Sequence, residues 1–149
     1  MDDAAMMAKA ERYCEHVRGL RLRMESAKVA YEQALAAADG VKAVRYDKIG
    51  STAAAHGDDA TAALIERLDA SGTAMTEAIA EWARECEEFD GLCRYLAPQS
   101  AYVLEMRFRN GARWGEIAER LRYSAAYVRG ELRARALLEL YVLIPLAWK

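Results

Sequence analysis

The sequence predicts an all-α protein: a long helical hairpin or coiled coil, followed by a C-terminal helix-turn-helix module. Three observations carry that expectation. The composition is rich in Ala, Leu, Glu and Arg, with only two prolines and two phenylalanines, and β-branched residues are sparse. Apolar residues in the first two thirds recur at gaps that alternate four and three, which is heptad spacing. Between residues 113 and 132, two short helix signals are separated by a two-residue break. A chain of 149 residues buries a real core without metals or disulfides.

Residues 4–38 read as one helix. Its seam is Met6, Ala10, Tyr13, Val17, Leu20, Met24, Ala27, Tyr31 and Ala34, with Glu, Lys and Arg between. Gly40 is the expected stop. Residues 40–58, with glycines at 40, 50 and 57 and no helical period, read as one long connection. Asp58 and Asp59 are candidate caps for the second helix. That helix is expected over 59–89, with a soft spot at Ser71-Gly72 and the seam Leu64, Leu68, Met75, Ile79, Trp82, Cys86 and Phe89. The two helices either fold into an antiparallel hairpin or each pair with a second copy in a homodimer.

Asp90-Gly91 is the expected break after the second helix, and the short segment LCRYL (92–96) leads to Pro98. A helix is expected over 98–109, ended by Asn110-Gly111, and another over 113–121. Arg122-Tyr123 forms the break. Ser124 is the candidate N-cap of a last helix through about Leu143, halted by Pro145. The apolar tail LLELYVLIPLAW (137–148) is expected to pack back on the long helices; a dimer face is the alternative.

Charge divides the chain. Residues 1–93 hold 11 Lys and Arg against 18 Asp and Glu, net −7, whereas residues 94–149 hold 10 against 5, net +5. On that basis the expected organisation is a heptad-patterned segment, 1–93, for oligomerisation or partner binding, and a basic module, 94–149. A basic end on an acidic body points to a local surface that faces a polyanion. The three cysteines, Cys14, Cys86 and Cys93, form no CxxC pair, which fits a reducing cytoplasmic setting. The acidic start MDDAAMMAKAER lacks the apolar core of a signal peptide, and no stretch has the length to cross a bilayer. No membrane partner is expected.

Within 113–132 the chemistry becomes specific. One helix places Ile117, Ala118 and Leu121 on one side, and the next places Val128 and Leu132 on one side. A break this short forces the helices to cross steeply, and Ala118 supplies the small residue a close crossing needs. That is the logic of a helix-turn-helix, whose second helix fits a major groove. Arg107, Arg109, Arg113, Arg120, Arg122, Arg129, Arg133 and Arg135 surround it. The planar fork of arginine grips phosphate oxygens in pairs, and a helix N-terminus at Ser124 offers amides to a phosphate.

The stretch YVLEMRFRNGARWGEIAERLRYSAAYVRGELRARALLEL (102–140) resembles region 4 of sigma-70-class transcription factors. The matching residues are Leu104, Arg107 and Phe108, then Glu116-Ile117-Ala118, Ser124, Val128, and Ala136-Leu137 with Leu140. Trp114, the Tyr123-Ser124 pair and the heptad-rich front half are similar to the phage-encoded ArpU/RinA-type late transcription regulators. The motif covers about a quarter of the chain. The resemblance implies double-stranded DNA as partner, and RNA polymerase as a further one. It also carries Arg113, Arg122, Ser124, Ala126, Tyr127, Arg129, Gly130 and Arg133 over as the DNA-binding set. Two departures stand out. Arg122 occupies a turn position that is usually glycine, where a left-handed backbone costs roughly 1 kcal/mol. The base-reading positions fall on Ala125, Ala126 and Gly130, which carry no polar tip, leaving Tyr127 and Arg129 as the base-facing candidates.

No nucleophile motif, phosphate loop or deaminase signature is present in the sequence, so no enzyme activity is expected. Cys14, His16 and His56 are too scattered for a tetrahedral metal site, and neither metal nor cofactor is expected. Trp82 and Trp114 read as core, and the acidic run Glu85, Glu87, Glu88 and Asp90 as a solvated helix surface. The expected function is transcription regulation of phage or prophage genes. The alternative is a phage assembly or packaging adaptor, small-terminase-like or scaffold, in which the long helices oligomerise.

Overall fold

A computed structural model describes residues 2–47 and 54–149, with side chains described outside 41–58. The chain is all-α, as expected, and no strand occurs among the described residues. Five helices are described, in order: α1, Asp3–Asp47; α2, Ala54–Cys93; α3, residues 98–109; α4, Trp114–Leu121; and α5, residues 125–143. A 3-10 turn, Leu146–Trp148, closes the chain.

Both long helices overrun their expected ends. α1 runs nine residues beyond 38, through Gly40, and α2 begins at Ala54, upstream of the caps proposed at Asp58 and Asp59. The connection expected over 40–58 is therefore corrected: its two flanks are helical, and residues 48–53 lie outside the described residues. Glycine ends a helix when it takes a left-handed conformation; inside a run of alanines it costs only about 1 kcal/mol and the helix continues. The same correction applies at Asp90-Gly91, since α2 extends to Cys93.

The chain forms two compact units, Met1–Arg21 with Trp82–Lys149, and Leu22–Glu81. The charge step at 93/94 runs through the first unit, because charge patterning reports surface while packing follows the apolar seams. In the unit Leu22–Glu81, α1 and α2 lie antiparallel: Arg23 pairs with Glu81, and Tyr31 meets Gly72. The soft spot at Ser71-Gly72 is continuous helix, and Gly72 is where the Tyr31 ring approaches to 3.5 Å. Met24 and Ala34 are buried on the seam.

The other unit holds two apolar cores. The larger joins Ala10, Tyr13, Cys14 and Val17 of α1 to Cys86, Phe89 and Cys93 of α2, and both to Leu104, Phe108, Ala136, Leu137, Leu140 and Ile144. Heptad positions of both long helices are thus consumed by the C-terminal helices. The tail packs back within this unit: Trp148 meets Tyr13 edge-on at 5.6 Å and His16 at 5.2 Å. Glu139 of α5 accepts the Ala97 N–H and the Ser100 hydroxyl at 3.0 Å each, capping α3 from another helix. Burial pushes the Cys14 thiol well up and the Cys93 thiol up to about 12.

Two π turns are set into the C-terminal helices, Glu105–Arg109 closing α3 and Val128–Leu132 within α5. In the first, the Asn110 N–H reaches the Glu105 carbonyl at 3.0 Å. A π turn carries an extra residue and so changes which face of the helix continues forward. In α5 that lets Val128 and Leu132 serve the smaller core while Ala136, Leu137 and Leu140 serve the larger one.

Candidate nucleic-acid interface

The smaller core is built from Val103, Ala112, Ile117, Ala118, Val128 and Leu132. These residues bring α3, α4 and the start of α5 together around one small core. Ala118 is buried at the contact, as its size predicts. Trp114 packs against the same core, edge-on to Phe108 at 6.4 Å. The Arg113 N–H donates to the Glu116 carboxylate at 3.4 Å, half of a capping box at the start of α4.

The turn between the two helices is fixed by main-chain bonds. Arg122 stands at φ 60°, ψ 38°, in the left-handed region. Its N–H donates to the Glu119 carbonyl at 3.2 Å, and the Tyr123 N–H donates to the Ala118 carbonyl at 3.0 Å. That pair of bonds is a Schellman motif, whose left-handed position favours glycine. Ser124 then caps α5: its hydroxyl oxygen accepts the Tyr127 N–H at 3.2 Å. Tyr123 is further pinned by Gln99, which donates to its hydroxyl at 3.2 Å.

The expected site residues divide by what holds them. Arg113, Arg122 and Arg129 are exposed. Among the described residues no carboxylate lies within ion-pair distance of them, nor of Arg120 or Arg135. Ala125, Ala126 and Gly130 are exposed on the outer face of α5, and a Cβ placed on Gly130 would meet nothing within 4 Å. Tyr127 is half-buried instead: it packs against the smaller core and lies 5.0 Å from the Tyr123 ring.

Arg133 is held inside the molecule. Its Nε donates to Glu11 Oε1 at 3.1 Å and its Nη2 contacts Glu11 Oε2, a two-pronged pair with both partners about two-thirds buried. Its place among the phosphate-gripping residues is therefore corrected, since its fork is spent on a carboxylate. Arg109 is likewise tied to Asp90, with Nε 2.9 and 3.1 Å from the two carboxylate oxygens. Arg107 lies over the Trp114 ring at 5.0 Å and donates to the Ala112 carbonyl at 3.3 Å. Burial, and then the charge of Arg18, lower the Arg107 pKa below its ordinary value.

Two residues escape sequence reasoning because they belong to α1: Glu11, which holds Arg133, and Arg21, whose guanidinium lies against Gly111. Gly111 has φ +74°, and a Cβ there would collide with that guanidinium. No local signal links positions so far apart in the chain.

Among the described residues, no group of three or more His, Cys, Asp and Glu side chains is placed to hold a metal ion. None of the described helices is long and apolar enough to cross a membrane. Searches of family models, curated proteins and solved structures gave no match to this chain.

Proposed function

We propose that the chain is a DNA-binding transcription regulator, and that α4 and α5 engage double-stranded DNA as a helix-turn-helix. One observation carries the reading. The Ser124-capped end of α5 is exposed, and Arg113, Arg122 and Arg129 around it have no internal carboxylate partner among the described residues. Exposed guanidiniums beside a free helix face are suited to phosphate contact, which supplies most of the affinity for a duplex. The outer face of α5 is smooth at Ala125, Ala126 and Gly130, so the backbone can approach the groove closely. Specificity then comes from DNA shape and deformability more than from bidentate base contacts. The resemblance to phage late regulators assigns the chain to a phage or prophage operon. It also assigns the acidic long helices to oligomerisation or to a surface for RNA polymerase.

The test is anisotropy of a labelled random-sequence duplex across a salt series, with the triple variant Arg113→Ala, Arg122→Ala, Arg129→Ala. The wild type should bind with log K falling linearly in log salt, and the triple variant should flatten that slope by roughly three units. Wild-type protein that ignores DNA, or a triple variant with unchanged slope, refutes the reading. A ring-sized oligomer in light scattering with no duplex affinity turns it toward an assembly protein.

A further inference from the structure

The hairpin Leu22–Glu81 buries its seam incompletely. Among its described side chains only Met24 and Ala34 are buried. Tyr31 of α1 and Leu64, Leu68, Met75 and Ile79 of α2 are half-exposed, although they continue seams that are buried in the other unit. The difference has a plain cause. At Ala10 to Val17 of α1, and at Cys86 to Cys93 of α2, the C-terminal helices cover the seams. Two helices alone bury one narrow stripe each, and further helices are needed to close a core. The C-terminal helices and the tail are consumed by the cores of their own unit. Among the described residues, no further apolar element of the chain is left to cover the hairpin.

One side of the hairpin has the shape that such a cover needs. A cleft of about 590 Å³ lies there, lined by Tyr31, Leu68, Gly72, Thr73, Met75 and Glu77 among others. Ile65 and Ile79 stand seven residues to either side of Gly72, on the same side of α2, and Leu35 follows Tyr31 by one turn of α1. Ile65 is 52% exposed and Leu35 is 40% exposed. Apolar projections thus flank an apolar hollow. A two-fold interface requires that combination, because one surface must serve as both knob and hole. Residues 22–40 and 59–81 give a face about 30 Å long and about 20 Å wide. That is roughly 600 Å² per copy and roughly 1,200 Å² for a pair, enough for a stable interface.

Charge selects the arrangement. Residues 59–81 hold one Arg against five Asp and Glu, net −4, whereas residues 22–40 hold two Lys and Arg against three Asp and Glu, net −1. Stacking α2 on a second α2 opposes the two more acidic helices; stacking it on a second α1 avoids this. Arg23 pairs with Glu81 and Tyr31 meets Gly72, so Lys28 stands level with Met75 across the hairpin. A two-fold axis along the helices preserves these levels and brings the partner's Lys28 over Met75, beside Glu77.

We infer that this face joins two copies of the chain. Two hairpins stack into a four-helix bundle, α1 of each over α2 of the other, with Lys28 of each facing Glu77 of the other. This pairing stands independently of the DNA-binding reading.

The experiment is sedimentation equilibrium of the full chain across micromolar concentrations, with helical circular dichroism recorded alongside. Wild type should sediment at twice the 16.6 kDa of one chain. Thr73→Glu and Lys28→Glu should each raise the dimer dissociation constant about tenfold or more, with the helical signal kept. Combining Lys28→Glu with Glu77→Lys should restore the wild-type constant to within about threefold. Should Lys28→Glu lose helicity, Thr73→Glu decides the matter, since Thr73 is exposed. A wild type that stays monomeric overturns the inference, and so does a larger assembly. A dimer indifferent to both single variants overturns it as well, by placing the interface elsewhere. A dimer weakened by Lys28→Glu and not rescued by the exchange overturns the stacking of α1 over α2.

Discussion

Replacing Arg122 with glycine should stabilise the protein, although it removes a charged residue from the proposed interface. Arg122 is the one non-glycine residue with positive φ among those described, at φ 60° and ψ 38°. A side chain in that region costs about 1–2 kcal/mol, from the approach of Cβ to the following carbonyl. Glycine removes this cost but adds freedom to the unfolded chain, worth about 0.4–1 kcal/mol. The net gain is therefore about 0.5–1 kcal/mol. For a chain of this size, that raises the thermal midpoint by about 1–4 °C.

The informative comparison is with Arg122→Ala. Alanine removes the guanidinium but keeps Cβ, so it shows no such gain, and Arg122→Asn falls between the two because asparagine tolerates the left-handed region. Melting followed by circular dichroism reads all three. On DNA, by contrast, Arg122→Ala and Arg122→Gly should each give up the same single phosphate, about 0.9 of salt slope. A glycine variant that melts no higher than the alanine variant would refute the strained Schellman turn. Equal melting with unequal DNA affinity would instead assign the position's conformation to binding.

Other variants separate fold from surface. Arg133→Ala strands the Glu11 carboxylate and should cost about 1–2 kcal/mol of stability, a charge-assisted bond discounted for its partial exposure; an unchanged denaturant midpoint would deny the pair any structural role. Glu105 has a raised pKa, from burial first and then from Asp90. Its contribution to stability is therefore complete below the ordinary carboxylate range and is lost as pH rises through the raised value. Glu105→Gln should accordingly gain stability relative to wild type on going from acidic to neutral pH, and a pH-independent difference in melting would contradict this. The thiols of Cys14, Cys86 and Cys93 are buried and should resist alkylation at mildly alkaline pH in the native protein, then react fully in denaturant, as intact mass would show. Gly130→Ala should stabilise α5 by about 1 kcal/mol, since nothing lies within 4 Å of the new methyl. It should also weaken duplex binding if the backbone sits close in the groove, and unchanged affinity would remove that closeness from the account.

Local chemistry is legible in the sequence, and long-range pairing is not. The seams of α1 and α2 can be read because periodicity records which side is buried, and Tyr13, Val17, Leu20, Cys86 and Phe89 are all buried as spaced. The Ser124 cap and the strained Arg122 can be read because each is decided within five residues. Gly40, Gly57 and Gly91 mislead because glycine signals a helix end only when its left-handed freedom is used, as at Gly111. The fate of the arginines cannot be read at all. Arg113 and Arg133 look alike in sequence, yet the partner of Arg133 lies 122 residues away. The π turn at Val128–Leu132 is equally hidden, since nothing in VRGEL distinguishes it from an ordinary helical turn.

That sorting of arginines has a mechanical consequence. Arg133, Arg109 and Arg107 fasten the module inward, through Glu11, Asp90 and the Trp114 ring, while Arg113, Arg122 and Arg129 face outward. Arg129 and Arg133 are one turn apart on the same helix, on either side of the end of its π turn. The root of α5 is thus clamped to α1 immediately beneath the residue proposed to meet phosphate, and the direction of the exposed tip is set by that clamp. Loosening the Glu11–Arg133 pair should therefore impair DNA binding indirectly, by letting the tip wander, without changing the number of phosphates contacted. Affinity would fall while the salt slope stayed constant, whereas replacing Arg129 lowers both. If the proposed DNA contact is right, one set of guanidiniums holds the duplex and another aims it.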